Sequence, residues 1–285
     1  MMSPSAYRRR TRASVLTLLT LLLPCSYVTA GAQVVGRDVP YVPTPARVVE
    51  MMLEMGEAGS EDVLYDLGSG DGRIVIAAVR DRGVGRAVGI DIDPVRIAES
   101  ERNARAAGVE GHCRFVRGDI FEMDFSAATV LTMYLLPEVN IRLRPRILAE
   151  LEPGTRVVSH QFDLGDWRPD DYRTYRRHSV MMWVVPAGVE GTWEGQAELG
   201  RVRLKLSQEF QEVEGEIRIS GQGVDILEAV LRGRELRISG IRERQDEIVL
   251  IRFEGSVEGD ILTGRVTAGD EPIPYTLRRL PDSPF

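Results

Sequence analysis

The hydrophobic positions of this chain keep one rhythm up to about residue 186 and a different one beyond it. From residue 46 to 55, Val48, Val49, Met52 and Leu53 recur at helical spacing, and Gly56 and Gly59 end the run. Short apolar runs then alternate with amphipathic stretches. The runs Val63-Leu64-Tyr65, Ala87-Val88-Gly89-Ile90, 113–116, 128–135, 155–161 and 179–185 predict strands. The stretches 73–82, 94–107 and 139–151 predict helices; Asp93-Pro94 opens the second and Gly108 closes it. Strands separated by helices make βαβ units and a mostly parallel sheet. Three of these strands run into an acid, Asp66, Asp91 and Asp119. In such sheets a ligand sits beyond the carboxyl ends of the strands, where the winding reverses.

Beyond Pro186 helical periodicity nearly vanishes. Alternating runs such as Val202-Arg203-Leu204-Lys205-Leu206 and Gly215-Glu216-Ile217-Arg218-Ile219 recur, punctuated by glycine. Period two with charged alternate positions predicts an antiparallel meander, a small barrel or curved sheet with one wet face. The expected fold is therefore α/β. A Rossmann-like sheet occupies residues 33–186, and a small antiparallel β domain occupies 187–285.

Residues 1–32 belong to neither part. Arg8, Arg9, Arg10 and Arg12 precede an apolar run over 13–28, and Thr29-Ala30-Gly31-Ala32 supplies small residues for cleavage. These are the three parts of a secretory signal peptide. The run is short for a membrane span and is broken by Pro24. The expectation is a cleaved signal, with a retained membrane anchor as the alternative, and hence an exported (periplasmic) or membrane-anchored protein.

Charge narrows the partners. The net charge is -7, which argues against a general nucleic-acid binder. Of 36 basic residues only Lys205 is a lysine, a compositional habit rather than a basic face. Cys25 and Cys113, with the scattered His112, His160 and His178, form no metal-binding pattern. Arg142, Arg144 and Arg146 read as a solvated helix face.

The sharpest motif is Asp66-Leu67-Gly68-Ser69-Gly70-Asp71-Gly72, with a strand before it and a helix after it. Its glycines permit a tight turn and close approach of a ligand to the backbone. The helix start adds N–H groups that suit an anion. A dinucleotide fingerprint would need glycine at position 73, which is Arg73, and a phosphate loop would need a lysine. Asp66 suits a ligand with a free amino group and would repel a pyrophosphate. Asp91, ending Gly89-Ile90-Asp91, is placed to accept ribose hydroxyls. Gly118-Asp119-Ile120-Phe121 follows the third strand. Alone, an Asp-Pro is usually a helix cap and a Gly-Asp a turn. Three such pieces at successive strand ends point to a cofactor site.

These motifs resemble those of the class I, seven-stranded S-adenosylmethionine-dependent methyltransferases. More particularly, residues 38–168 are similar to bacterial relatives of the ATP synthase c-subunit lysine methyltransferase family. The similarity is carried by Asp38-Val39-Pro40-Tyr41-Val42-Pro43-Thr44-Pro45, by the glycine-rich motif, by Tyr134-Leu135-Leu136-Pro137-Glu138-Val139-Asn140, and by the stretch from Gly154 through His160 to Trp167. The resemblance implies S-adenosyl-L-methionine as cofactor. It implies that Asp66, Gly68, Ser69, Gly70, Gly72 and Asp91 cradle it, with Asp119 receiving the adenine amino group and Ile120 packing on the ring. Tyr41 and Thr44 would lie on a loop closing over the methionine end.

The implied activity is N-methylation of a lysine in a protein partner. Thr132-Met133-Tyr134-Leu135 would line the acceptor channel, with Tyr134 as the catalytic candidate; the plainer reading of Tyr134 is a packed aromatic. The Asn/Asp-Pro-Pro-Tyr signature of amide- and base-nitrogen methyltransferases is absent here. In-line displacement at a sulfonium methyl depends mainly on positioning. A dry channel lowers the pKa of the acceptor ammonium. Two other readings stand beside this one. The first is an exported protein whose β domain holds an apolar ligand and whose methyltransferase-like domain is inactive. The second is a small-molecule methyltransferase with the β domain as a lid.

Overall fold

The computed structural model describes residues 42–244, 247–269 and 271–281. Tyr41 and the arginine-flanked segment over 1–32 lie outside them. Seven strands form the first sheet: β1 (Val63–Leu67), β2 (Arg86–Asp91), β3 (Cys113–Arg117), β4 (Val130–Met133), β5 (Arg156–His160), β6 (Asp171–Tyr175) and β7 (His178–Val184). Their order is β3-β2-β1-β4-β5-β7-β6. β7 alone runs opposite to the other six strands. The winding reverses between β1 and β4, which makes the ends of β1, β2 and β4 the natural place for a ligand.

Helices cover both faces. Leu64, Ala87, Val130 and Val158 pack with α1 (Ala46–Met55) and α2 (Arg73–Arg82). Tyr65, Leu67, Val88, Leu131 and Met133 point the other way, toward α4 (Pro137–Glu150). Successive strand residues face opposite sides, so a sheet buried on both sides needs continuous apolar runs, as in Val63-Leu64-Tyr65. Between them in sequence, α3 (Pro94–Ala107) starts at Asp93, whose side chain accepts from Val95 N, and stops at Gly108 in the left-handed region.

The sheet departs from the sequence pattern at one edge. Strand β6 has no apolar run, because Asp171-Tyr172-Arg173-Thr174-Tyr175 lies at the edge with no residue fully buried. It exists through its pairing with β7 across the Arg176-Arg177 turn. The β3–β4 and β5–β6 connections contain no helix.

The remaining strands are β8 (Gly191–Ala197), β9 (Gly200–Glu209), β10 (Glu212–Ile219), β11 (Gln222–Arg232), β12 (Glu235–Arg244), β13 (Glu247–Glu258), β14 (Ile261–Ala268) and β15 (Pro272–Arg279). They close into a barrel in which β15 returns to pair with β8. Gly255 and Gly264 face each other across β13 and β14, and a Cβ on Gly264 would collide with the Glu254 carbonyl, so glycine lets the barrel wall bend there. Trp193, Leu204, Ile217, Ile238, Phe253 and Leu277 are among the buried side chains that fill the centre. The reading of a barrel that stores an apolar ligand finds no support in this packing.

Candidate functional site

The glycine loop hooks over the end of β2. Gly68 N and Ser69 N both donate to the Ile90 carbonyl, at 2.8 and 3.0 Å. Gly68, Gly70 and Gly72 take φ of 76°, 52° and 81°, a region that disfavours any residue with a Cβ. Asp91 locks the loop from below. Its Oδ2 accepts from Gly70 N at 2.8 Å and its Oδ1 from Asp93 N at 2.9 Å. Each oxygen thus holds one backbone donor and keeps a lone pair for another.

Asp66 lies at the floor of the loop, 2% exposed, and accepts from Thr132 Oγ1 at 2.8 Å. Burial pushes its carboxyl up to about 7, against the Thr132 hydrogen bond and with the help of the Asp91 and Asp71 charges. An acid so placed is a receptor for a cation, because an incoming ammonium restores the solvation it has lost. Ser69 Oγ nearby is buried and finds no partner among the described residues, whereas a buried hydroxyl is normally hydrogen-bonded. At the end of β3, Asp119 Oδ1 accepts from Phe121 N at 2.9 Å, leaving Oδ2 available to a ligand. Ile120 beside it is half-buried.

The arginines expected on a solvated helix face do something else. Arg146 donates to the Ile120 and Met123 carbonyls at 2.9 and 3.0 Å. Arg142 lies 3.7 Å over the Phe121 ring, and Arg144 donates to the Leu164 carbonyl at 2.8 Å. They brace the loops that follow β3 and β5. The guanidinium groups of Arg144 and Arg146 satisfy loop carbonyls and that of Arg142 lies on an aromatic ring, a use that helical periodicity does not reveal.

On the β4 and β5 side, Tyr134 stands just past the end of β4, its ring 3.9 Å from that of His160 and stacked 6.2 Å from that of Phe162. His160 ends β5, as acids end β1 and β2, and is completely buried. Its Nδ1 lies 3.1 Å from Thr44 Oγ1 and its Nε2 3.0 Å from His178 Nδ1. Burial, with the His178 charge second, pushes its pKa down to about 4, so the ring is neutral at neutral pH. The Thr44 carbonyl accepts from Arg73 Nη1 at 2.8 Å. Thr44 therefore ties the leading segment both to the first turn of α2 and to β5.

The fold brings together Thr44, the glycine loop, Asp66, Asp91, Asp119, Ile120 and Tyr134 at the carboxyl ends of the strands; Tyr41 falls outside the described residues. Sequence reasoning missed His160 and Phe162. His160 is one of three histidines without helpful spacing; its signals were its place near the end of a predicted strand and within the stretch from Gly154 to Trp167 that carries the family resemblance.

This geometry has known counterparts. The ANTKMT methyltransferase domain family matches residues 66–171. A protein-lysine N-methyltransferase of Saccharolobus islandicus (strain REY15A) is 46% identical over 151 residues, which span 52% of this chain and 94% of that protein. The chain belongs to the protein-lysine N-methyltransferase family. It is a class I methyltransferase that depends on S-adenosylmethionine. The human lysine N-methyltransferase of the ATP synthase c-subunit is 30% identical over 175 residues, or 60% of this chain and 69% of that one. The crystal structure of an RNA methyltransferase from Salinibacter ruber in complex with S-adenosyl-L-homocysteine is 51% identical, with a TM-score of 0.51, and covers 52% of this chain and 96% of that one. Half of this chain thus suffices to span two of these proteins almost completely.

Proposed function

We propose that the strand ends hold S-adenosylmethionine and present its methyl group to the side-chain amine of a lysine in a protein partner. The observation that carries this reading is the pairing of two acids. Asp91 is bonded through one oxygen to the glycine loop, and Asp66 is buried beneath that loop with the Thr132 hydroxyl against it.

In this reading the cofactor's ammonium group is held toward Asp66 and the glycine loop, with Ser69 Oγ gaining a partner. Asp91 accepts the ribose hydroxyls through its remaining lone pairs. Asp119 Oδ2 accepts from the adenine amino group, and Ile120 packs on the ring. Gly68, Gly70 and Gly72 keep the backbone bare enough for that approach. Thr44 covers the methionine end. The cofactor supplies a methyl group already activated on a sulfonium.

The remaining work of the chain is positioning and the exclusion of water. Tyr134, backed by neutral His160 and by Phe162, offers ring faces to the acceptor. Such faces attract an ammonium, and a desolvated wall lowers its pKa so that the neutral amine can attack.

Two relatives named for lysine support a protein acceptor, as does the net charge of -7, which is unfavourable for binding phosphates. The Salinibacter ruber protein is named for RNA, and RNA is the second reading. The arginine-flanked run over 13–28 further supports a cleaved signal or a membrane anchor, which N-terminal sequencing of the mature chain tests. The acceptor is tested by supplying the full chain with S-adenosylmethionine labelled in its methyl group. One arm contains a pool of single-lysine peptides, a second the same peptides with arginine for lysine, and a third total RNA. The expected result is label recovered as methyl-lysine from the first arm alone. Label in RNA and none in the peptides would overturn the lysine reading.

A further inference from the structure

The β5–β6 connection packs on the α4 face of the sheet through Leu164 and Trp167. Residues 161–170 carry no helix, yet Trp167 within them is completely buried. Its cover is the barrel. The turn between β9 and β10 reaches onto the sheet, and Phe210 at its tip takes φ of 53°, in the left-handed region that a residue with a side chain rarely adopts. The Phe210 ring stacks on the Trp167 indole, with centroids 5.9 Å apart and planes 16° from parallel. Gln211 follows. Its Oε1 accepts from Trp167 Nε1 at 2.8 Å and its Nε2 donates to the Arg168 carbonyl at 2.6 Å. One glutamine thus satisfies both a side chain and the backbone of the connection. The hairpin is also fastened just before its turn, because Gln208 Oε1 accepts from Val189 N at 2.6 Å and its Nε2 donates to the Ala187 carbonyl at 3.0 Å.

The connection passes this support on to the acceptor side. Arg144 lies 5.3 Å from the Phe210 ring and donates to the Leu164 carbonyl. Asn140 Nδ2 donates to the carbonyls of Phe162 and Asp163 at 3.2 and 3.1 Å. Phe162 in turn stacks against Tyr134. Contacts are therefore continuous from the barrel's tip to the proposed acceptor wall. The cofactor side, Gly68 to Gly72 with Asp91, is held by separate hydrogen bonds of its own. The family match ends at residue 171, before the barrel begins at Gly191, and half of this chain spans 94% of the Saccharolobus islandicus relative.

We propose that the β9–β10 hairpin is a positioning element for the acceptor side, in which Phe210 and Gln211 hold the 161–170 connection so that Phe162 and Tyr134 keep their stacked wall. This rests on the reading of the Tyr134 side as the acceptor's entrance. Loosening the hairpin acts on the acceptor and leaves cofactor affinity in place.

The test uses the full chain and the variants Gln211→Ala, Phe210→Ala and Phe210→Tyr. Three quantities are measured: hydrogen exchange of residues 161–170, the Kd for S-adenosylmethionine by calorimetry, and steady-state kinetics with the single-lysine peptide pool. The two alanine variants are expected to speed exchange in the connection about tenfold and to lower acceptor kcat/KM about tenfold. The cofactor Kd should stay within about twofold, and Phe210→Tyr should restore both losses. The proposal is overturned if exchange is unchanged in both alanine variants, if exchange rises while acceptor kinetics stay as in the wild type, or if cofactor affinity falls in step with them. A wild-type chain that binds the cofactor but methylates no lysine peptide would count against the acceptor assignment; the exchange measurement then decides the hairpin's role by itself.

Discussion

Replacing Asp66 with asparagine removes the acid at the floor of the site while keeping an oxygen for the Thr132 hydroxyl. Burial raises the wild-type carboxyl from 3.8 to about 7. The folded state therefore binds this proton more tightly than the unfolded chain does. Its contribution favours folding at low pH and is lost as pH climbs from about 4 toward 7. A pKa difference of about 3 corresponds to about 4 kcal/mol once the acid is fully ionised. Asp66→Asn bears no such cost. Its stability relative to wild type should grow by about 3 kcal/mol between roughly pH 4.5 and pH 7.5, measured by urea denaturation at each pH. The difference between the two proteins is the useful quantity, because His160 titrates in the opposite sense over an overlapping range and cancels in it. Saturating S-adenosylmethionine should shrink the difference at neutral pH, since its ammonium group stabilises the ionised carboxylate. The wild type should release a proton on binding, seen as a binding heat that depends on the buffer's ionisation enthalpy. A stability difference that stays flat over this range, or falls with rising pH, would refute the argument that burial controls this acid.

Two further outcomes follow from the same site. His160 has its pKa lowered to about 4, so the unfolded chain binds the extra proton between about pH 4 and 6.5; its contribution is fully present above about 6.5 and is lost as pH falls. Relative to His160→Asn, wild type should lose about 3 kcal/mol on acidification through that window, and a pH-independent difference in urea unfolding would contradict it. Gly72 combines φ of 81° with a Cβ position 2.8 Å from Phe115 and Ser100. Gly72→Ala should cost about 1–3 kcal/mol in denaturation and weaken cofactor binding about tenfold; wild-type behaviour in both assays would show that the loop tolerates a side chain.

The parts of the site legible in the sequence are those built from local chain. Buried strands flanked by helices must be short apolar runs, so the ends of β1, β2 and β3 could be read directly, and with them Asp66, Asp91 and Asp119. The glycine loop was legible because left-handed backbone at three alternate positions demands glycine. What was hidden depends on partners distant in sequence. β6 is polar because it is an edge strand, and it takes its conformation from β7. His160 becomes a site residue only when Thr44 and His178 arrive at its two ring nitrogens. Arg142, Arg144 and Arg146 carry a helical pattern of exposure, yet the loops after β3 and β5 fold against them. Phe210 and Gln211 sit at a hairpin turn where the alternating pattern of the barrel is silent about the sheet they cover.

The central claim, that these strand ends hold S-adenosylmethionine, is met most directly by calorimetric titration of the full chain beside Asp91→Ala. The account predicts saturable binding at one site in the wild type, weakened about a hundredfold when the carboxylate that holds Gly70 N, proposed to accept the ribose hydroxyls, is removed. A folded wild-type chain that takes up no cofactor, or a variant that binds as tightly as the wild type, would contradict it.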